Sequence, residues 1–594
     1  MTAKGPIEIE PFFLPHPDRA LFCLHHIPRG QPVHGAVLYL HPFAEEMHKS
    51  RRMAALTART LAGSGLAVLL VDLSGCGDST GDFAEATWSK WREDARLAHD
   101  WLSLRHGQPV ALWGLRTGAL LAADLARTLP APPAGLVLWQ PITQGDPFLN
   151  QFLRIKLAAD MLNEGQSQTG TKALRAQLAA GEGVEVGGNM LSADMANELG
   201  RMKLADCPPA CPTFWLEVGA TSEIQVTPAS QRVLDAWQVA GANTHAATVR
   251  GDPFWATQEI TECPELIEAT EDALGRLIGG SGSAPVFDQS GQAVTCSPAN
   301  DDQTREAGPS ASVSNRVSES PCLFECVGQR LIGMVARPDT PGRTGVVIIV
   351  GGPQYRAGSH RQFTLLARHL AEQDISSLRF DYRGMGDSEG EFRNFEAIDA
   401  DLRAAVDALI EQVPEVTEVA LWGLCDAASA ALYYGPTDVR VRRLILLNPW
   451  VHSPAGAAKA RIKHYYLQRL MQPAFWRKLL SGKVRLGDTV KDVSQATSST
   501  PAAPTNPRHG SAGYIERMLS GLTRFDGRVH YILSGNDLTA EEFRQCIASD
   551  SRWKKAMANP RVDIATVPEA NHTFSSSAWR DEVERLTLAR LVDR

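Results

Sequence analysis

Short apolar runs alternate with amphipathic stretches along most of this chain. In the second half the series reads GVVIIVGG, HRQFTLLARHLAEQ, SSLRFDYRG, FEAIDADLRAAVDALIEQ, EVALWG, a helix from Asp426, and RLILLNP. The first, third, fifth and last of these are continuously apolar and short, as buried strands are; those between repeat apolar residues at helical spacing. Strands without polar alternation, separated by amphipathic helices, predict a parallel sheet covered on both faces. Ligands of such sheets bind beyond the carboxyl ends of the strands, where the glycine-rich turns GGPQYR and RGMGDSEG fall.

The first half repeats the second. VDLSGCGDSTGDF and ALWGLRTGALLAADLA answer FDYRGMGDSEGEF and ALWGLCDAASAALYYG. Asp72 matches Asp381, Gly77 matches Gly386, Gly114 matches Gly423 and Arg116 matches Cys425, each 309 residues apart; GLVLWQP (135–141) and RLILLNP (443–449) follow at 308. A register held over more than forty residues predicts two copies of one fold, a duplicated and fused chain. Residues 276–318 are rich in Gly, Ser and Pro and lack hydrophobic periodicity, so they read as a flexible linker between domains 1–275 and 319–594.

Composition narrows the function classes. With 44% hydrophobic and 21% charged residues over 594 positions, the chain has the balance of globular domains. A net charge of −8 without basic runs gives nucleic-acid binding no support. No apolar run is long enough for an integral membrane segment and MTAKGPIEIEPFF is not a signal peptide, so the expected location is cytoplasmic. The ten cysteines are scattered, and CPPAC (Cys207, Cys211) and CLFEC (Cys322, Cys326) lack the second pair or histidine of a zinc site; no metal and no cofactor are expected.

LWGLCDAASA has the build of a nucleophile elbow: a strand end, Gly423, Cys425 at the tip, then small residues so that strand and helix approach closely. A thiolate there is the stronger counterpart of a serine. The chain order of such folds is nucleophile, acid, histidine. RVHYILSGNDLTAEEF places Asp537 after a late strand, and VDIATVPEANHTF places His572 in the last loop. His572 would accept the thiol proton and Asp537 would orient the imidazole. For the oxyanion hole the backbone N–H of Asp426 is one donor; Pro353 has none, which leaves Gly352 or Gln354 as the second. Arg383 reads as a structural partner for a nearby carboxylate such as Asp387. Residues of about 450–525, helical and basic at first and then polar and Pro-rich, read as a lid insertion whose cations suit an anionic or carrier-bound acyl substrate, or as a solvated helix face.

In the first half the same frame has lost its chemistry. Arg116 stays protonated and cannot attack a carbonyl. Thr221 stands where Asp537 would align, and Asp252 or Phe254 where His572 would. Arg116 would be neutralised by Glu45 or Glu46 of HPFAEEMHKSRRM, or would bind an anionic ligand.

With these strings in view, the first half (HPFAEEMHKSRRM, DLSGCGDSTGDF, WGLRTGALLA, GDPFWATQEI) resembles the type-two hydrolases associated with the exosortase A system, and the second (GGPQYRAGSHRQF, FDYRGMGDSEG, GLCDAASAALYYG) resembles the type-one hydrolases of that system. The resemblance implies two tandem α/β-hydrolase domains with mostly parallel, doubly wound sheets, and an association with exopolysaccharide biosynthesis proteins. It implies no defined substrate. The expected activity is ester or thioester hydrolysis on a small-molecule or carrier-bound acyl substrate, with acyl transfer or a non-catalytic scaffold as alternatives, and with the two domains paired within the chain.

Overall fold

The computed structural model describes residues 5–164, 170–221, 225–257, 259–279, 310–314, 316–451 and 512–592. In the first half the strands are β1 (Ile7–His16), β2 (Arg19–Pro28), β3 (Gly35–Leu40), β4 (Leu66–Val71), β5 (Val110–Leu115), β6 (Leu136–Trp139), β7 (Val184–Val186), β8 (Asn189–Leu191), β9 (Thr213–Gly219) and β10 (Thr244–Arg250). β7 and β8 form a separate hairpin, and the others one sheet in the order β1-β2-β4-β3-β5-β6-β9-β10. The second half contributes β11 (Ala311–Ser314), β12 (Val317–Cys326), β13 (Gln329–Pro338), β14 (Thr344–Ile349), β15 (Ser376–Asp381), β16 (Glu418–Leu424), β17 (Val441–Leu447), β18 (Arg528–Ser534) and β19 (Val562–Val567), in the order β11-β12-β13-β15-β14-β16-β17-β18-β19. Apart from the extra edge strand β11, the two orders are the same.

Each sheet enters through antiparallel strands, β1-β2-β4 and β12-β13-β15, and is parallel from there on. β3, β4 and β5 are buried along their whole length, and β16 in all but its first residue. Helices cover both faces, which is why those runs carry no polar alternation. This is the expected α/β architecture of mostly parallel sheets. The antiparallel entry strands are an addition to it: each set begins with a hairpin, β1–β2 and β12–β13, which the crossover pattern that the periodicity reveals does not include.

Three boundaries differ from expectation. The helix Pro264–Gly279 and strands β11 and β12 occupy both ends of the linker expected over 276–318. The helix expected from His360 starts at Gln362, because His360 (φ 41°) and Arg361 (φ 61°) are left-handed and break it. Of the lid expected over about 450–525, the helix Ala512–Arg524 closes the region, and residues 452–511 lie outside the described residues.

The two glycine-rich turns are built alike. In each, the first aspartate accepts the backbone N–H of the second: Asp78 N–H to Asp72 Oδ2 at 2.9 Å, and Asp387 N–H to Asp381 Oδ2 at 3.1 Å. Gly77 (φ 51°) and Gly386 (φ 44°) pass so close to those carboxylates that a Cβ would lie 2.0 and 2.4 Å from an oxygen. Only glycine fits.

These turns meet across the boundary between the halves. Arg51 donates to Asp72 of its own half at 2.6 Å and to both oxygens of Asp387 of the other, at 2.7 and 2.9 Å. Arg356 donates to Asp381 at 2.7 Å and Asp387 at 2.6 Å, and forms an ion pair with Asp78 at 2.7 Å. Arg379 reaches Asp78 at 3.0 Å and Glu319 at 2.8 Å. Backbone carbonyls are exchanged with approximate two-fold symmetry: Arg52 donates to the carbonyls of Ser388 and Gly390, while Arg361, its counterpart in the repeat, donates to those of Ser79 and Gly81. Asp387, although buried, is held well below the usual carboxylate range; burial works against ionisation, and Arg51 and Arg356 outweigh it.

A buried charge that loses its partner cannot be rehydrated, so removing one member typically costs about 3–5 kcal/mol. Arg356→Met strips cations from Asp78, Asp381 and Asp387 together. Urea denaturation of the full chain is expected to show a loss of about 3–5 kcal/mol or more; an unchanged midpoint would mean that the network does not join the halves.

Candidate active site

The elbow strand β16 ends at Leu424, and the helix Asp426–Tyr434 begins two residues later, with Cys425 between them at φ 64°, ψ −123°. A non-glycine residue in this region costs about 1–3 kcal/mol and persists only when its surroundings enforce it. Here they do: Cys425 N–H donates to Leu447 O at 2.9 Å, and its carbonyl accepts from Ala428 and Trp450 N–H at 3.1 and 3.2 Å. A Cβ on Gly423 would come within 2.7 Å of the Ala427 backbone, so strand and helix touch there.

Asp537, after β18, caps the helix Leu538–Ser549: its Oδ2 accepts Ala540 N–H at 2.9 Å and His572 Nδ1–H at 3.0 Å. The His572 imidazole and the Cys425 thiol lie close enough that each shifts the other's ionisation. The structure therefore brings Cys425, His572 and Asp537 together. Burial raises Asp537, but His572 and the helix N–H groups outweigh it and hold the carboxyl below its ordinary value. Burial opposes the charged imidazolium, yet the Cys425 thiolate and Asp537 hold His572 well above its ordinary value. Burial pushes the Cys425 thiol up while His572 pulls it down. Burial is the larger influence, so the thiol stays above its ordinary value.

Asp426 takes a role the residue pattern did not suggest. Its Oδ1 accepts Gly352 N–H and Ala427 N–H, each at 2.9 Å, and burial pushes its carboxyl up to about 6. Gly352, one of the two candidates for the second oxyanion donor, thus has its N–H engaged by a side chain. Arg383 makes a bidentate pair with Asp401, at 2.9 and 2.7 Å, instead of the expected contact with Asp387. Asp387 is taken by arginines from both halves, and Asp401 lies on the helix Asp399–Gln412 beside the turn.

Asn448 escaped the sequence reading. It follows β17 at φ 43°, and its Nδ2 donates to Ser534 Oγ at 2.8 Å and to the His572 carbonyl at 2.9 Å, while its Oδ1 accepts Ser534 N–H at 2.8 Å. It ties the histidine loop to β18. The signal was the NP that ends RLILLNP, an asparagine where a strand run stops and the chain must turn.

In the first half Arg116 has the same backbone, φ 56°, ψ −115°, and its N–H bonds Trp139 O at 2.9 Å as Cys425 bonds Leu447. Its Nε and Nη2 both donate to Glu46 Oε1, at 3.1 and 3.0 Å, and its guanidinium lies 5.8 Å from the Trp255 ring. Of the two carboxylates expected to neutralise it, Glu46 does so. Thr221 and Asp252 are exposed, in the turns after β9 and β10. The cysteines of CPPAC and CLFEC are buried free thiols, each pushed up to about 11 by burial.

A profile of the family described as "Serine aminopeptidase, S33" matches residues 31–177 and 342–530, more than half of the chain and parts of both repeats. The chain belongs to this hydrolase family. Among curated relatives it is 35% identical to human protein ABHD12B over 118 residues, 19% of this chain and 30% of that one. It is 34% identical to the lysophosphatidylserine lipase ABHD12 of Xenopus tropicalis over 111 residues, 18% and 28% of the two chains. The chain thus spans about 30% of the length of these relatives. Among solved structures, the Pyrococcus furiosus esterase Pf2001 is similar at 16% identity and a TM-score of 0.32, covering 46% of this chain and 92% of its own. Among the described residues, no helix of this S33-family chain is long and apolar enough to cross a membrane.

Asn448→Ala removes the partner of Ser534 N–H and that of the His572 carbonyl. An unsatisfied buried group costs about 1–3 kcal/mol, and that loss is expected in urea denaturation. Iodoacetamide labelling of Cys425 should slow in the same variant; unchanged labelling would show that Asn448 does not hold His572.

Proposed function

We propose that the chain hydrolyses ester or thioester bonds through Cys425, with the first half a non-hydrolytic partner domain. The observation that carries this reading is the His572–Asp537 hydrogen bond with the Cys425 thiol near enough to the imidazole to be shifted by it, at an elbow whose backbone is held at positive φ. Cys425 gives its proton to His572 and its sulfur attacks the acyl carbonyl carbon, forming the C–S bond. The carbonyl oxygen takes the negative charge facing the N–H groups of Asp426 and Gln354. As the tetrahedral intermediate collapses, the bond to the alcohol or thiol breaks and His572 protonates the leaving group. Water, deprotonated by the same imidazole, then releases the acid and returns the thiol. Asp537 holds the ring so that Nε2 faces sulfur, and favours the imidazolium that both steps pass through.

Membership of the S33 family and the local likeness to an annotated lipase support hydrolysis of esters. The resemblance of the two halves to exosortase A system hydrolases adds the finer reading, a fused pair working beside exopolysaccharide assembly on a small or carrier-bound acyl group. Acyl transfer is the second reading: over 96 residues the chain is 35% identical to the polyketide transferase grgF of a Penicillium species, and an acyl-cysteine can pass to an alcohol or amine as well as to water.

Incubation of the full chain with nitrophenyl esters and acyl-CoA donors should yield a protein mass increased by one acyl group, absent in Cys425→Ala. Turnover should fall by about a thousand-fold or more in that variant, the scale of losing a catalytic nucleophile. Equal turnover in wild type and Cys425→Ala would refute the assignment. Partition of the intermediate towards added sugar acceptors at the expense of water would favour transfer.

A further inference from the structure

The loop that carries His572 is held in part by its own domain, through Asn448. Another part of that work is done from the other half of the chain. The helix that follows the loop, Ser577–Val592, begins with a backbone N–H that no group of its own turn satisfies. Glu185 of β7, in the first half, accepts it at 2.6 Å. The hairpin β7–β8 thus reaches across the boundary and ties down the end of the histidine loop.

The same hairpin makes a second contact through His360. Gly188 (φ 81°) lies so close that a Cβ there would sit 2.4 Å from the His360 ring. His360 is 4% exposed and in the left-handed region (φ 41°). Its Nε2 donates to the carbonyl of Thr573, the neighbour of His572, at 3.1 Å. Its backbone N–H donates to Glu45 Oε1 of the first half at 3.3 Å. Burial lowers the imidazole to about 4, so the ring is neutral near pH 7, with its proton on the nitrogen that faces Thr573. Asn448 holds the His572 carbonyl from the sheet side. The loop is therefore clamped residue by residue, at 572 by its own domain and at 573 and 577 by groups that depend on the first half.

The contacts lead back to the degenerate elbow. Glu45 opens the helix Glu45–Gly63, and the next residue, Glu46, takes both donors of Arg116. The arginine at the dead nucleophile position thereby fixes the helix end from which Glu45 reaches His360.

We infer that the first half is a positioning element for His572, acting through Glu185 on Ser577 and through Glu45 and Gly188 on His360. Glu185 and His360 are positioning residues, since neither touches Cys425. The inference rests on the proposed Cys425–His572 pair, and it explains why a half without a nucleophile retains its elbow.

The test follows iodoacetamide alkylation of Cys425 in the full chain by peptide mass against pH, in wild type, Glu185→Ala, Glu185→Gln, Gly188→Ala and His572→Ala. Glutamine keeps a side-chain oxygen for the Ser577 N–H, so Glu185→Gln should follow wild type. Glu185→Ala should alkylate roughly ten-fold more slowly at neutral pH, a modest fraction of what misplacing a reacting group by an ångström can cost. Its inflection should move towards that of a thiol without a partner. Gly188→Ala should move it in the same direction, and amide hydrogen exchange at Ser577 should quicken in Glu185→Ala. If wild type and His572→Ala differ while Glu185→Ala and Gly188→Ala both follow wild type, the positioning role falls and the catalytic pair stands. If wild type and His572→Ala coincide, the catalytic pair falls, and the positioning role with it.

Discussion

Charge pairing between the two glycine-rich turns is the constraint on which the rest of the molecule depends. Asp72, Asp78, Asp381 and Asp387 are fully buried, and so are Arg356 and Arg379. Neither set could remain ionised there alone, because desolvation of an isolated charge exceeds anything packing returns. Each half supplies part of the charge for its own turn and takes the rest from the other. Asp387 depends on Arg51 and Asp78 on Arg356, so a displacement of one half against the other would strip partners from several carboxylates at once. Such a junction sets orientation as well as adhesion, and orientation is what brings the β7–β8 hairpin onto the histidine loop.

The two elbows separate shape from reaction. Arg116 and Cys425 share a left-handed backbone, the same strand-to-strand hydrogen bond and the same close approach of strand to helix. That shape is enforced by small residues around the tip, Gly114 and Gly118 in one half, Gly423 and Ala427 in the other, and is indifferent to the side chain carried there. What the side chain needs differs. A guanidinium needs a carboxylate and finds Glu46 in the first turn of the helix after β3; a thiol needs a base to become a nucleophile, the part proposed for His572. In the first half the corresponding loop supplies Trp255 beside Arg116, a cation already matched by Glu46.

Much of this was legible in the chain. Continuous apolar runs announced buried parallel strands, the constant offset of 309 announced the repeat, and the order of Cys425, Asp537 and His572 announced the groups that converge. These features are local or periodic, and so they leave a mark in one dimension. The partner of Arg383 was misread because the turn offers Asp387 nearby in sequence, while the helix that brings Asp401 alongside lies beyond it. Asn448 gave too slight a signal, since an asparagine after a strand is as common in plain turns as in loops that hold a catalytic group. The engagement of Gly352 by Asp426 was hidden for the same reason: which backbone N–H stays open depends on where one carboxylate swings.

The sequence by itself determined the fold of each half, the presence of two elbows, and which of them carries a side chain able to attack a carbonyl. Hydrophobic periodicity and residue chemistry suffice for that, because each is a property of short segments. Only the tertiary structure decided how the halves meet, which carboxylate answers which arginine, and that Glu185 and His360 reach the loop of His572. Those contacts join residues as much as 392 positions apart. Between them lie alternative partners of the same charge, and distance and burial alone select among like charges.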